Sequence, residues 1–211
     1  MSENYKTVRE FAFAEMIEKK SRFIGYCRPV STEDEAIDFI NAVRAEHREA
    51  THNVYAYILR ENNVMRYSDD GEPAGTAGVP VLEVLRKEGL TDAVIVVTRY
   101  FGGVLLGAGG LVRAYGKSAR LGVDAAVRVE KLLCNIYSIK TDYSAYGKLQ
   151  YAVMEGGYIL KDTRFTDEVE LVVCAEKERA AEFEKMITET SFGRSTAELI
   201  STEYVEREIK G

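Results

Sequence analysis

The residues best suited to moving protons are a histidine and a run of acids. His52 lies in the segment ATHN, and Asp69 and Asp70 open the segment SDDGEPAGTAGVP at 68–80. An imidazole changes charge near neutral pH, so His52 beside either carboxylate would make a base with an orienting partner. His52, Asp69 and Asp70 are therefore the catalytic candidates. His47 differs, because it shares the apolar face of a helical pattern with Ala36, Ile40 and Val43 and reads as a hydrogen-bonded core histidine. The acids also have a second reading. Asp69, Asp70 and Glu72 carry the oxygen ligands that hard cations take, but Asp-Asp-Gly-Glu-Pro is a turn sequence too. In that reading Gly71, Pro73 and Gly75 shape a loop, and Thr76 caps the helix that follows. No D-x-D-x-D spacing points to calcium and no C-x-x-C pair to zinc, so neither a metal nor a cofactor is expected. No Ser or Cys stands in a G-x-S-x-G motif, which leaves an enzymatic reading without a nucleophile.

A second chemistry resides in RYFGGVLLGAGGLVRAY, from Arg99 to Tyr115. A buried strand, a glycine turn and a helix start in succession leave free backbone N–H groups that suit an anion. Gly102, Gly103, Gly107, Gly109 and Gly110 remove the Cβ atoms that would hold a phosphate away. The pattern is neither a Walker loop nor G-x-G-x-x-G. Gly102 and Gly103 have a packing alternative, while 107–110 is the more anion-facing part. Arg113, Lys117 and Arg120 recur at i, i+4 and i+7 behind the turn, Arg99 ends the strand before it, and Lys19, Lys20 and Arg22 enter another strand. If the strands gather these cations, the chain has a basic face that could follow a phosphate backbone. The alternative is a solvated helix face, with Asp124 pairing Arg120.

These groups need a scaffold. Alternation predicts strands at 10–16, polar enough for an edge, and at 22–29, followed by a helix to about residue 48 with Thr32 and Glu35 as a capping box. A hairpin follows at 53–60 and 64–68, then the loop at 69–78, a short helix begun by Pro80 and ended by Gly89, an apolar strand at 93–98, and a helix from 107 to 128 burying Leu111, Tyr115, Ala119 and Gly122. Beyond a boundary at 129–134 the order becomes strand, helix, strand, strand, helix, strand, which is the ferredoxin-like βαββαβ arrangement. The expected domains are residues 1–130 and 131–211, in the α+β class.

Bulk properties narrow the class. A 211-residue chain with 46% hydrophobic residues can bury a core, and a net charge of −6 argues against a protein that coats DNA. The first 20 residues lack an apolar stretch and no later apolar run approaches ~20 residues, so no membrane association and a cytoplasmic location are expected. Cys27, Cys134 and Cys174 are odd in number and far apart, consistent with reduced structural thiols.

The blocks EATHNVYAYI, SDDGEPAGTAGVPVL and VTRYFGGVLLGAGGLVRAYGKSA, in that order and spacing, resemble the YigZ/Impact family over about residues 19–126. The resemblance implies a ribosomal protein S5 domain 2-like fold for the first domain and, for the second, a ferredoxin-like domain similar to domain V of elongation factor G. It also implies a link to translation, since eukaryotic Impact proteins regulate it under stress through protein contacts. The S5-like superfamily includes small-molecule kinases, whose Ser-Ser element this loop lacks. The first expectation is a non-enzymatic translation-associated regulator that binds RNA, a ribosomal surface or a translation-related protein through the glycine turn and basic helix. An enzyme for a phosphorylated or carboxylated small molecule is the second. A protein-interaction module using Tyr100, Phe101 and 104–106 is the third.

Overall fold

The structure is a computed structural model that describes residues 3–209. Its elements, in order, are β1 (Tyr5–Val8), β2 (Ala12–Glu18), β3 (Ser21–Pro29), α1 (Glu33–Glu46), β4 (His52–Leu59), β5 (Val64–Ser68), α2 (Gly78–Glu88), β6 (Ala93–Tyr100), α3 (Ala108–Ala125), β7 (Arg128–Thr141), α4 (Tyr143–Glu155), β8 (Ile159–Phe165), β9 (Val169–Glu176), α5 (Ala180–Thr190) and β10 (Ala197–Glu208). Contacts divide the chain into two units, Tyr5–Glu130 with 207–209, and 3–4 with Lys131–Glu206.

The first unit is built on an antiparallel sheet in the order β2-β3-β6-β4-β5. Central strand β6 is covered on both faces, which explains its unbroken apolar run. Ala93, Ile95 and Val97 join the core formed with α2 and α3, while Val94 and Val96 join the core under α1. Strand β2 lies at an edge, and its exposed Phe13, Glu15 and Ile17 alternate with half-buried neighbours.

Local chemistry accounts for some helix ends. Thr32 Oγ1 accepts from Glu35 N at 3.2 Å, but Glu35 returns its carboxylate to Ser31 N at 2.6 Å, one residue before the position a capping box uses. Helix α2 ends at Gly89 in the left-handed region, with φ 65°. Its start is not capped by Thr76, whose hydroxyl instead donates to the Pro73 carbonyl at 2.7 Å. Asp69 does this work from a distance, accepting from Ala77 N at 3.0 Å and Gly78 N at 2.8 Å, because the loop folds back on itself.

No irregular linker occupies 129–134. That segment belongs to β7, where Val129, Leu132 and Cys134 are buried. In the second unit the order β10-β7-β9-β8 and the two intervening helices give the ferredoxin-like arrangement. Its core includes Tyr137, Ile139, Leu149, Leu171, Phe183 and Ile187. Asp142 caps α4, accepting from Ala145 N at 2.8 Å. Helix α5 starts at Ala180, after a 3₁₀ turn at Lys177–Arg179. The three cysteines are buried and unpaired, and burial pushes the Cys27 thiol far above its ordinary pKa.

Candidate functional site

Strand register sets the site. In the β4–β6 pair His52 lies directly opposite Arg99, and Arg99 shares the sheet face of Ile95 and Val97, on the side of α2 and α3. The loop from β5 to α2 crosses this end of the sheet and delivers Glu72 to Arg99. Both side chains are nearly sealed from solvent, at 4% and 6% exposure. Arg99 Nη1 donates to Glu72 Oε1 at 2.5 Å, the Tyr115 hydroxyl donates to the same oxygen at 2.7 Å, and Arg99 Nη2 reaches Ser21 Oγ at 3.4 Å. Burial, together with the bond to Glu72, pushes the Tyr115 phenol far above its usual pKa, so it remains a donor. Two polar atoms are left over. Arg99 Nε is buried with no partner, and Glu72 Oε2 accepts no hydrogen bond from a described residue.

His52 Nδ1 lies 2.8 Å from the Asp70 carbonyl oxygen. A carbonyl only accepts, so Nδ1 carries a proton, and in that tautomer of the uncharged ring Nε2 is the acceptor. Nε2 is 3.8 Å from Glu72 Oε1. These groups line a cleft of about 370 Å³ whose remaining lining is largely apolar, from Phe101, Leu105, Leu106 and Leu111. Gly107 and Ala108, at the start of α3, line it too. The histidine, the acidic loop and the glycine turn thus share one cavity.

Asp69 and Asp70 are occupied elsewhere. Asp69 Oδ2 accepts from Gly75 N at 2.9 Å and its Oδ1 caps α2; burial raises its pKa, but the bonds from Gly75, Gly78 and Ala77 outweigh this and hold it below the usual carboxylate range. Asp70 accepts from Arg44 Nη2 at 2.8 Å and from Asn53 N at 2.6 Å. The carboxylate at the cleft is Glu72, which the sequence shows only as one member of a loop with Gly71, Pro73, Gly75 and Thr76. Tyr115 read as core packing; its hydroxyl on an apolar helix face was the available sign that a buried partner was needed. Among the described residues no cluster of His, Cys, Asp and Glu is arranged to hold a metal ion. His47 is clasped by two phenols, with Nε2 at 2.5 Å from Tyr26 and Nδ1 at 2.8 Å from Tyr100.

The glycines divide by role. A Cβ on Gly102 would stand 2.0 Å from the Lys20 carbonyl oxygen, so this residue lets the β6 end pass against the β2–β3 turn. Gly107, at φ +72°, turns the chain into α3 with no side-chain cap. The first helical bond there is Leu111 N to Gly107 O at 2.9 Å, which leaves the N–H groups of Ala108, Gly109 and Gly110 without an intrahelical acceptor. Gly103 borders open space, and a Cβ on Gly109 would meet the Arg113 side chain at 3.7 Å.

The cations also divide. Lys19, Arg113 and Lys117 line a second cleft of about 200 Å³, together with Glu18, and Leu106 lines both clefts. Lys20 is exposed beside Lys19 in the β2–β3 turn. None of these four is ion-paired to a described residue. Arg22 does not join them: alternation along β3 puts it on the α1 face with Ile24 and Tyr26, where it pairs with Glu15 at 2.6 Å and lies over the Tyr100 ring. Arg120 is held by Asp124 at 3.0 Å and by Glu88, and Arg99 by Glu72. No described helix is long and apolar enough to cross a membrane.

Comparison with known proteins places the chain. Residues 19–123 match the Impact N-terminal domain and residues 139–194 match a domain of unknown function (DUF1949). The chain is 42% identical to IMPACT family member YvyE of Bacillus subtilis over 99% of its own length and 97% of that protein. It is 32% identical to IMPACT family member YigZ of Escherichia coli, over 88% of this chain and 91% of the relative. A Dictyostelium discoideum protein named Protein IMPACT homolog is 41% identical over 43% of this chain and 27% of its own. A crystal structure described as that of a hypothetical protein superposes with a TM-score of 0.60 at 29% identity, covering 95% of this chain and 99% of the other. The chain belongs to the IMPACT family.

Proposed function

We propose that the protein is a non-enzymatic, translation-associated regulator that binds single-stranded RNA, or RNA exposed on a ribosomal surface, at the start of α3. The observation that carries this reading is the set of cations without an ion pair to a described residue, Lys19, Lys20, Arg113 and Lys117, beside the N–H groups of Ala108, Gly109 and Gly110 that lack an intrahelical acceptor. Unpaired cations beside a helix N-terminus suit phosphate oxygens, and counterion release then drives association. The net charge of −6 lies against such a role for the whole surface, so binding is confined to this local face. Three contacting cations, Lys19, Arg113 and Lys117, predict a log–log salt slope of roughly −2 for single strands. Fluorescence anisotropy of a labelled oligonucleotide between ~50 and ~200 mM salt tests it. Arg113→Ala with Lys117→Ala should flatten the slope toward −1, and affinity indifferent to both salt and substitution would refute the reading.

A second reading is favoured by one feature, the His52 ring, which lines an apolar cleft with Nδ1 bonded to the Asp70 carbonyl and Nε2 3.8 Å from the buried Glu72 carboxylate. That is the placement of a general base acting on a phosphorylated or carboxylated small molecule. A metabolite screen by thermal shift separates the two, since saturation near ~100 Kd stabilises by ~2.7 kcal/mol.

A further inference from the structure

The cleft beside the basic face poses a question the phosphate contacts leave unanswered. A site for a backbone alone has no use for a buried carboxylate, yet Glu72 lines this cavity with Oε2 unengaged. His52 Nε2 adds a second acceptor next to it, and Arg99 Nε is a buried donor without a partner. Arg99 and Glu72 are each more than nine-tenths buried, so these unsatisfied groups belong to a built site and not to solvated surface. The remaining lining is apolar and includes Phe101, whose ring is half exposed. The turn carrying Leu106 to Gly110 separates this cavity from the cleft of Lys19, Arg113 and Lys117.

Resting on the RNA-binding reading, we infer that the apolar cleft receives one unstacked base of the bound strand and selects guanine. A flat aromatic ligand matches the apolar lining and can stack on Phe101, as unpaired bases do in single-strand readers. The Watson–Crick edge of guanine carries two adjacent donors, the ring N–H and the amino group, which meet the two acceptors Glu72 Oε2 and His52 Nε2. Adenine and cytosine place an acceptor where guanine has its ring N–H, and uracil places a carbonyl where guanine has its amino group, so each sets an acceptor against an acceptor of the site. At about 370 Å³ the cavity has the size of small-ligand sites. The base enters the cleft while its phosphates lie along the start of α3 and the three cations.

The test uses the full chain and labelled ten-nucleotide oligouridine strands bearing one central guanosine, inosine, adenosine or abasic site, followed by anisotropy. Guanosine should bind roughly tenfold more tightly than adenosine, the scale of one bidentate base contact, with inosine between them and the abasic strand weakest. Glu72→Gln should erase the preference for guanosine over adenosine. Because that change also disturbs a buried ion pair, Phe101→Ala serves as the second variant: it should bring every strand to the abasic affinity while the salt slope stays near −2. An abasic strand that binds as well as the guanosine strand, with that slope intact, overturns the base pocket and leaves the RNA reading standing. Equal binding of guanosine and adenosine, both above the abasic strand, overturns the guanine assignment. Absence of binding by every strand at low salt overturns the RNA reading and the pocket with it.

Discussion

Replacing Glu72 by Gln should destabilise the protein more than any surface substitution, and the loss should be largely recovered by a second change. Gln preserves side-chain shape and one oxygen for the Tyr115 hydroxyl, but it removes the counter-charge of Arg99. The two side chains are 4% and 6% exposed, and the guanidinium has its Nη1 on Glu72 at 2.5 Å and only a long 3.4 Å contact from Nη2 to Ser21. A buried ion left unpaired costs ~3–5 kcal/mol. With a urea m-value of about 2 kcal/mol/M, the midpoint should fall by roughly 1.5–2.5 M. Adding Arg99→Met removes the stranded charge while keeping an apolar side chain against Phe23, whose ring lies 5.4 Å from the guanidinium carbon. The double variant should therefore be more stable than Glu72→Gln alone, with an interaction term of about 1–3 kcal/mol. Urea titration by circular dichroism on the four members of the cycle measures this. If the two losses add to within ~0.5 kcal/mol, Glu72 and Arg99 are not an energetic unit and the account of the cleft fails.

Asp69→Ala should cost ~1–2 kcal/mol by uncapping α2, a loss visible in the urea midpoint at pH 7. Because the Asp69 pKa is lowered by folding, its contribution is present above the unfolded-state value and disappears as pH falls through the folded one; wild type and variant should converge in acid, and a gap that persists there would contradict this. Gly102→Ala should destabilise by ~1–3 kcal/mol through the 2.0 Å approach to the Lys20 carbonyl, whereas Gly109→Ala, whose nearest new contact is the Arg113 side chain at 3.7 Å, should leave the melting temperature within a few degrees. The three buried thiols should resist a disulfide reagent at pH 8 in the native protein and react together in denaturant; rapid native labelling of Cys27 would contradict its burial.

Residue types along the chain are enough for whatever depends on neighbours within a few residues. Thr32 caps α1 because its hydroxyl reaches Glu35 N three residues on, Gly89 ends α2 because it alone there enters the left-handed region without a Cβ penalty, and the run from Ala93 to Thr98 is a strand covered on both sides. The order βαββαβ was legible for the same reason. Tertiary structure decided what each polar group does, because those partners lie far along the chain. Asp69 caps a helix eight and nine residues away through a loop closure that no local periodicity encodes. Arg22, grouped by sequence with Lys19 and Lys20, is carried by strand alternation to the opposite face. Arg120 is withdrawn by Glu88, 32 residues distant, and Glu72 meets Arg99 across 27 residues and Tyr115 across 43. Sheet register and the path of one loop, both set by global packing, turned an undistinguished glutamate into the carboxylate of the cleft.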